Sequence, residues 1–245
     1  LKNQGETVVV LQLLGILELQ AGRYSEAVAW TTKVLAREPA NIEALGNQCV
    51  ALHRAGRLED AAAGYKRLTS LAPTNPMVWF NQGHLLKLLG ERENALDSYR
   101  KAVKLRPDYA DAHINIGNLL MDSGQFIAAV TAYRTAIEQA PDSFEAYKNL
   151  GLCLTRANEL QNALRALRKA HSLQASDTWV LGGLIEVQQK LALWDDLEKR
   201  EAELLKRLRT GREIALRPFQ TLSINATPGD QLDCATAWSQ HQVAA

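Results

Sequence analysis

Four asparagines recur along this chain at a fixed interval of 34 residues, and their chemistry is that of a neutral hydrogen-bonding surface. The primary amide of each side chain offers two donor hydrogens and one acceptor oxygen. A donor and an acceptor side by side match the N–H and C=O groups of a peptide backbone. The pattern therefore favours binding over catalysis, and its members are Asn47, Asn81, Asn115 and Asn149.

Four other residue types repeat with the same period, and each has a physical role in a helix–turn–helix unit. The tyrosines Tyr65, Tyr99 and Tyr133 fill the layer between neighbouring units. Glycine takes the left-handed backbone conformation that ends a first helix. Proline cannot continue a helix, so it marks the break after a second helix. Alanine lets the two helices approach closely. These residues are Gly22, Gly56, Gly90 and Gly124; Pro39, Pro73, Pro107 and Pro141; and Ala27, Ala61, Ala95, Ala129 and Ala163.

The register places the asparagines on one side of successive first helices. Units counted from Val8, Ile42, Pro76, Ala110 and Phe144 put them at position 6. Core positions 4, 7, 8 and 11 cluster on one side of an ideal helix, so position 6 lies nearly opposite, beside positions 2, 9 and 13. We call this surface the ladder face. Because asparagine costs a few tenths of a kcal/mol relative to alanine inside a helix, four copies favour a binding ladder over a merely solvated face.

Further candidate binding residues occupy neighbouring positions of the ladder face. Position 9 carries His84 and Asn118, and position 13 carries Arg54 and Arg156. Acidic and apolar residues share these positions, so the face has no single sign of charge.

The 34-residue unit resembles the tetratricopeptide repeat (TPR). The resemblance covers residues 8–174 as five repeats, and the family's small residue at position 8 is glycine in four of them, with Cys49 in the second. The fifth repeat also departs, with Asn158 for the turn glycine and Ala175 for the proline. The resemblance implies an all-α fold, a right-handed superhelical solenoid whose first helices line an inner wall that holds a protein or peptide. The mixed charge of the ladder face argues against the cationic clamp that chaperone-binding TPR proteins use.

The chain divides into three predicted parts. Residues 1–174 hold five repeats, residues 175–210 a degenerate sixth repeat of capping helices, and residues 211–245 a connector. Within the connector, Thr227-Pro228 predicts the start of a short C-terminal adapter helix. Terminal units of solenoids are often atypical, which accounts for the loss of the periodic glycine, alanine and proline in the sixth repeat.

The first helix lacks the ladder and is apolar on nearly all sides. Its position 6 is Leu13, flanked by Val9 and Ile16. Such a surface normally marks an interface. We therefore expect these residues to cover a further repeat or to mediate self-association.

Composition and motifs exclude several classes of function. The 28 basic and 27 acidic residues give a net charge of +1, without the basic excess of a nucleic-acid-binding protein. The longest apolar stretch, Val8 to Leu19, is too short to cross a membrane. Phosphate-binding loops, catalytic motifs and metal-ligand pairs are absent from the sequence. We expect no catalytic residue, cofactor or metal, and the widely spaced Cys49, Cys153 and Cys234 suit a reducing, cytoplasmic setting.

A narrower resemblance joins the ladder to the connector. The chain is similar to the TPR region and connector of bacterial O-linked N-acetylglucosamine transferases, in which an asparagine ladder holds the protein substrate's backbone. The similar segments are NIGNLL at 115–120, NLG at 149–151, PFQTL at 218–222, QL at 231–232 and ATAW at 235–238. The resemblance implies a substrate-recruiting arm, with nucleotide-sugar lobes beyond residue 245. The alternative is a stand-alone TPR adaptor for assembly, secretion or chaperone complexes.

Overall fold

A computed structural model describes residues 7–209, and this range contains helices and turns without a strand. The predicted all-α TPR solenoid fold is confirmed for this range. The predicted adapter helix lies outside it. The twelve helices are α1 (Val8–Gln20), α2 (Tyr24–Arg37), α3 (Ile42–Arg54), α4 (Leu58–Leu71), α5 (Pro76–Leu88), α6 (Arg92–Leu105), α7 (Ala110–Asp122), α8 (Phe126–Gln139), α9 (Phe144–Arg156), α10 (Leu160–Leu173), α11 (Thr178–Lys190) and α12 (Leu197–Arg209).

The chain forms two compact units, Leu1–Ala112 and His113–Ala245. The first unit contains α1 to α6 and the start of α7, and the second contains the rest of α7 and α8 to α12. Helices that follow one another in sequence pack together within each unit. The three-part division predicted from the sequence stays a prediction, and its connector lies outside the described range.

Side-chain caps determine where most of the first helices begin. The capping oxygen accepts a hydrogen bond from a backbone N–H that the first turn leaves without a partner. The second helices α2, α4, α6, α8 and α10 have no such cap and follow directly from the turn. The capping residues are Thr7 for α1, Asn41 for α3, Asn75 for α5, Ser143 for α9 and Asp177 for α11.

The turn between the two helices of each repeat keeps one backbone conformation even where its glycine is lost. The four periodic glycines have φ between 73° and 79°. Asn158 and Ala192 stand at the same register position in repeats five and six, with φ of 60° and 53°. A left-handed alanine costs roughly 1–2 kcal/mol. The sixth unit therefore retains the turn of its neighbours although its sequence marks are gone.

Close contacts between the two helices of a repeat explain the small residue at position 8. A Cβ added to Gly117 would lie 2.6 Å from the ring of Tyr133, and one added to Gly83 would lie 2.9 Å from Tyr99. Both tyrosines are fully buried. Cys49, at position 8 of the second repeat, is buried too, and burial raises the pKa of its thiol to about 12.

Positions 3 and 10 of a first helix face the second helix of the preceding repeat. In α3, Ala44 packs against Val34 of α2. In α5, Val78 and Leu85 lie in one buried cluster with Tyr65 and Leu68 of α4. These two positions therefore form the apolar seam between consecutive repeats.

Candidate peptide-binding face

The ladder face of the first unit presents two asparagines whose side chains have no hydrogen-bond partner within residues 7–209. Asn47 on α3 and Asn81 on α5 are half-buried. Within residues 7–209, neither side chain makes a hydrogen bond. A half-buried amide with unmade hydrogen bonds relies on water or on a ligand. These two groups are therefore available to a bound peptide.

The residue at position 9 of the preceding repeat explains why these amides are unpaired. Counting back 31 residues from Asn47 and Asn81 leads to Ile16 and Val50, both half-buried and apolar. Neither side chain offers a hydrogen-bonding group. The amides consequently have no acceptor on the neighbouring first helix.

Asn149, a ladder asparagine of the second unit, has an internal hydrogen-bond partner. The side-chain amide nitrogen of Asn149 on α9 donates to Oδ1 of Asn118 on α7, at 3.0 Å. The phenol of Tyr133 on α8 donates to the same oxygen, at 2.8 Å. Asn118 and Asn149 are half-buried, and Tyr133 is fully buried. Three consecutive helices are thus joined through one amide oxygen, and the sequence did not predict this role for Tyr133.

The other predicted ladder-face residues lie at accessible positions. Asn115 is half-buried on α7, whereas His84, Arg54 and Arg156 are exposed on α5, α3 and α9. The exposed Met77 and Leu88 flank the same face of α5 and supply apolar surface; their relative exposures are 55% and 52%.

Two histidines meet on the ladder face of the first unit. The rings of His53 and His84 are 5.6 Å apart between centroids. Burial lowers the pKa of both rings, and so does the positive charge of Arg54; His84 further lowers the pKa of His53, and Lys87 that of His84. His53 was not among the predicted site residues, since it lies one residue before position 13 of the ladder face. The lowered pKa values favour the neutral form of both rings.

The first helix exposes much of its apolar surface. Val9 and Leu13, at ladder-face positions, have relative exposures of 63% and 55%, while the third predicted interface residue, Ile16, is half-buried. Val10 and Leu17, at seam positions 3 and 10, are also exposed. The predicted patch therefore extends from the ladder face onto the surface where a preceding repeat would pack.

Within the part of the chain that the structure describes, no three histidine, cysteine or acidic side chains come together as metal ligands. In the same range, no helix has the length and hydropathy needed to cross a membrane.

Comparison with known proteins identifies the repeat family. A family model for the C-terminal TPR domain of cilia and flagella-associated protein 70 matches residues 26–193, more than half of the chain. The chain belongs to this tetratricopeptide-repeat family. No curated protein matches it.

Solved TPR structures share the fold. A TPR protein from Parabacteroides merdae is 18% identical, with a TM-score of 0.76 over 98% of this chain and 93% of that chain. Pseudomonas aeruginosa pilF is 16% identical, with a TM-score of 0.73 over 97% of each chain. YrrB, described as a TPR protein with an unusual peptide-binding site, is 19% identical, with a TM-score of 0.62 over 71% of this chain and 90% of that chain. At these identities the likeness concerns the TPR fold alone.

Proposed function

We propose that this chain is a TPR scaffold that holds an extended segment of a partner protein against its ladder face. The observation that carries this proposal is the pair of half-buried amides of Asn47 and Asn81, one repeat apart and without hydrogen bonds to any residue in 7–209. An unpaired amide can exchange hydrogen bonds with a backbone amide without reading the partner's side chains. The peptide-binding site described for YrrB supports the proposal by showing one such use of the fold.

The composition of the ladder face narrows the partner's chemistry. Met77 and Leu88 supply exposed apolar surface, and His53 and His84 add neutral polar surface. A strongly acidic or strongly basic partner would gain little from this face. The proposed partner segment is therefore extended, with little net charge, and held through its backbone.

Titration with a labelled peptide pool tests the proposal. The probe is a fluorescein-labelled dodecapeptide pool randomised at every position, and its N-methylated counterpart lacks backbone donors. We expect the pool to bind the wild-type chain and the N-methylated pool to bind less. The double variant Asn47→Ala with Asn81→Ala should lose roughly 30-fold in affinity, because it removes two neutral hydrogen bonds of about 1 kcal/mol each.

Asn94→Ala serves as the matched control, because Asn94 lies on the second helix α6 and, within residues 7–209, its side chain hydrogen-bonds only to Glu91. It should bind the pool as the wild type does. Equal affinity of the wild type and the double variant, both folded, would rule out the amide pair as the binding element.

A more specific hypothesis assigns the scaffold to a protein O-linked N-acetylglucosamine transferase as its substrate-recruiting arm. Its support is the asparagine ladder and the similar connector segments, and the connector lies outside the described range. The alternative is a stand-alone adaptor in assembly, secretion or chaperone complexes. Sequencing the gene downstream of the codon for Ala245 separates them: nucleotide-sugar-binding lobes favour the arm, and an early stop codon favours the adaptor. The cytoplasmic location also stays a prediction.

A further inference from the structure

The hydrogen bonds around Asn118 hold its side chain in one orientation. Its Oδ1 accepts from Tyr133 at 2.8 Å and from Asn149 at 3.0 Å. An amide oxygen has two lone pairs, so these two donors use its full capacity. The NH2 group of Asn118 must then lie on the opposite side of the amide. Within residues 7–209 that group donates to no acceptor.

Tyr133 provides the rigid part of this arrangement. Its side chain is fully buried on α8, and its ring fills the space that the missing Cβ of Gly117 leaves, at 2.6 Å. Burial raises the pKa of the phenol, so it remains a protonated donor. The phenol also lies 3.9 Å from Sδ of Met121, a weak acceptor. Oδ1 of Asn118 is thus the stronger of the two acceptors for the phenol of Tyr133, whose ring is held in place by burial.

Asn149 is oriented in turn by Asn118. One hydrogen of its amide is directed to Oδ1 of Asn118. Its own Oδ1 accepts no hydrogen bond within the described range. The half-buried pair therefore offers an unused acceptor on Asn149 and unused donors on Asn118. The unused acceptor and the remaining amide hydrogen of Asn149 complement the N–H and the C=O of an extended peptide.

We propose that Tyr133 and Asn118 are positioning residues that fix the amide of Asn149 for backbone binding. This inference rests on the proposed peptide-binding function and specifies it for the second unit. The advantage of such a lock is entropic, because an amide already held in its binding orientation loses less side-chain freedom when the peptide arrives.

The first unit lacks this lock at the corresponding positions. The residue in the register of Tyr133 is Tyr99, which is also buried, but its phenol oxygen has no hydrogen-bond partner among the described residues. The residue in the register of Asn118 is His84, whose ring is paired with that of His53. Tyr99→Phe is therefore a matched control for Tyr133→Phe, since each substitution removes one buried hydroxyl and keeps the ring.

The first test needs no ligand. NMR relaxation of the side-chain NH2 groups should show Asn149 as rigid in the wild type and in Tyr99→Phe. In Tyr133→Phe, the amide resonances of Asn118 and Asn149 should shift, and both groups should become more mobile. Unchanged shifts and relaxation would overturn the lock, whatever the chain binds.

The second test uses the fluorescein-labelled randomised dodecapeptide pool. Asn149→Ala should weaken binding roughly fivefold, the equivalent of about one hydrogen bond. Tyr133→Phe should weaken it by a smaller factor, of roughly two to five. It should have no further effect when combined with Asn149→Ala, because Tyr133 acts only through that residue.

The outcomes separate the inference from the proposed function. If Asn149→Ala weakens binding but Tyr133→Phe does not, the positioning roles are wrong and peptide binding stands. If a further loss follows when Tyr133→Phe is added to Asn149→Ala, Tyr133 acts by another route and the inference fails. If the wild type does not bind the pool, the proposed function fails, and the ligand-free relaxation still decides whether the lock exists.

Discussion

Gly64 and Cys49 share one space between the helices of the second repeat. A Cβ added to Gly64 on α4 would lie 2.6 Å from Sγ of Cys49 on α3 but 3.9 Å from its Cβ. Elsewhere the first helix supplies the small residue, as Gly83 does beside Tyr99 and Gly117 beside Tyr133. In this repeat the second helix supplies it. The requirement for a small side chain therefore belongs to the contact between the helices rather than to position 8.

The contact predicts strong coupling between these two residues. Gly64→Ala in the wild type should cost roughly 1–3 kcal/mol in overpacking, offset by about 1 kcal/mol of helix propensity. In a Cys49→Ala background the overpacking disappears, so the same change should stabilise the chain. Urea unfolding of the four variants in this cycle measures the coupling, expected at about 1–3 kcal/mol.

Gly46→Ala is the control for that cycle, because its added Cβ would meet only Leu68, at 3.8 Å. It should stabilise both backgrounds equally. Coupling between Gly64 and Cys49 indistinguishable from zero would show that the Cys49 side chain turns away at no cost.

The ladder asparagines Asn47, Asn81 and Asn149 should not respond alike to alanine substitution. Asn47→Ala and Asn81→Ala remove no internal hydrogen bond and should raise the free energy of unfolding by a few tenths of a kcal/mol each. Asn149→Ala breaks the bond to Asn118, which costs roughly 0.5–1.5 kcal/mol. Denaturant unfolding should therefore place Asn149→Ala about 1 kcal/mol below the other two. Equal stabilities for all three would mean that the bond between Asn118 and Asn149 contributes nothing.

The histidine pair should make stability fall in mild acid. Because the pKa values of His53 and His84 are lowered in the folded chain, the unfolded chain binds protons first as the pH falls through the ordinary value of 6.5. The contribution of the neutral histidine pair to the free energy of unfolding is fully present above pH 6.5 and declines as the pH falls below it. Replacing both histidines by glutamine should flatten the dependence of unfolding free energy on pH between about 7.5 and 5.5.

His171 in the second unit is a useful comparison, because burial first and then Arg200 and Arg207 lower its pKa as well. His171→Gln should remove a separate part of the acid sensitivity. A double variant at His53 and His84 with the wild-type pH profile would contradict the assignment of that sensitivity to the ring pair.

The apolar patch of α1 should govern self-association. Leu13→Asn combined with Leu17→Lys places polar groups where two exposed leucines stand, so light scattering should show a smaller species or better solubility than for the wild type. Ile127→Lys is the control, since Ile127 is an 86% exposed apolar residue on α8 that does not belong to the patch. The same monomer for all three chains would show that α1 mediates no contact between copies.

The helix pattern could be predicted from the sequence because the residues that end its helices are those with special backbone conformations. Proline and left-handed glycine fixed the ends of the helices to within a few residues. Asn158 and Ala192 show the limit of that reasoning, since packing forces the same conformation on residues that do not favour it. The sixth repeat was therefore harder to recognise in sequence than in structure.

The ladder face could be placed from the register, but its hydrogen bonding could not. Asn47 and Asn149 look equivalent because they share position 6. Whether each amide finds a partner depends on the residue 31 positions earlier. Ile16 has no acceptor for Asn47, whereas Asn118 supplies Oδ1 as the acceptor for Asn149. The role of Tyr133 was hidden for a related reason: as a core residue in a regular series, it carries no mark that its hydroxyl reaches the ladder face.

The exposed seam positions of α1 have a consequence for engineering. Val10 and Leu17 stand where later repeats receive a preceding helix, with relative exposures of 40% and 57%. Within residues 7–209, these two side chains stay exposed and are not covered by a further helix. An added helical hairpin with a second helix like α2 could be grafted there without inventing a new junction. The chain could thus be lengthened as a modular building block from its α1 end.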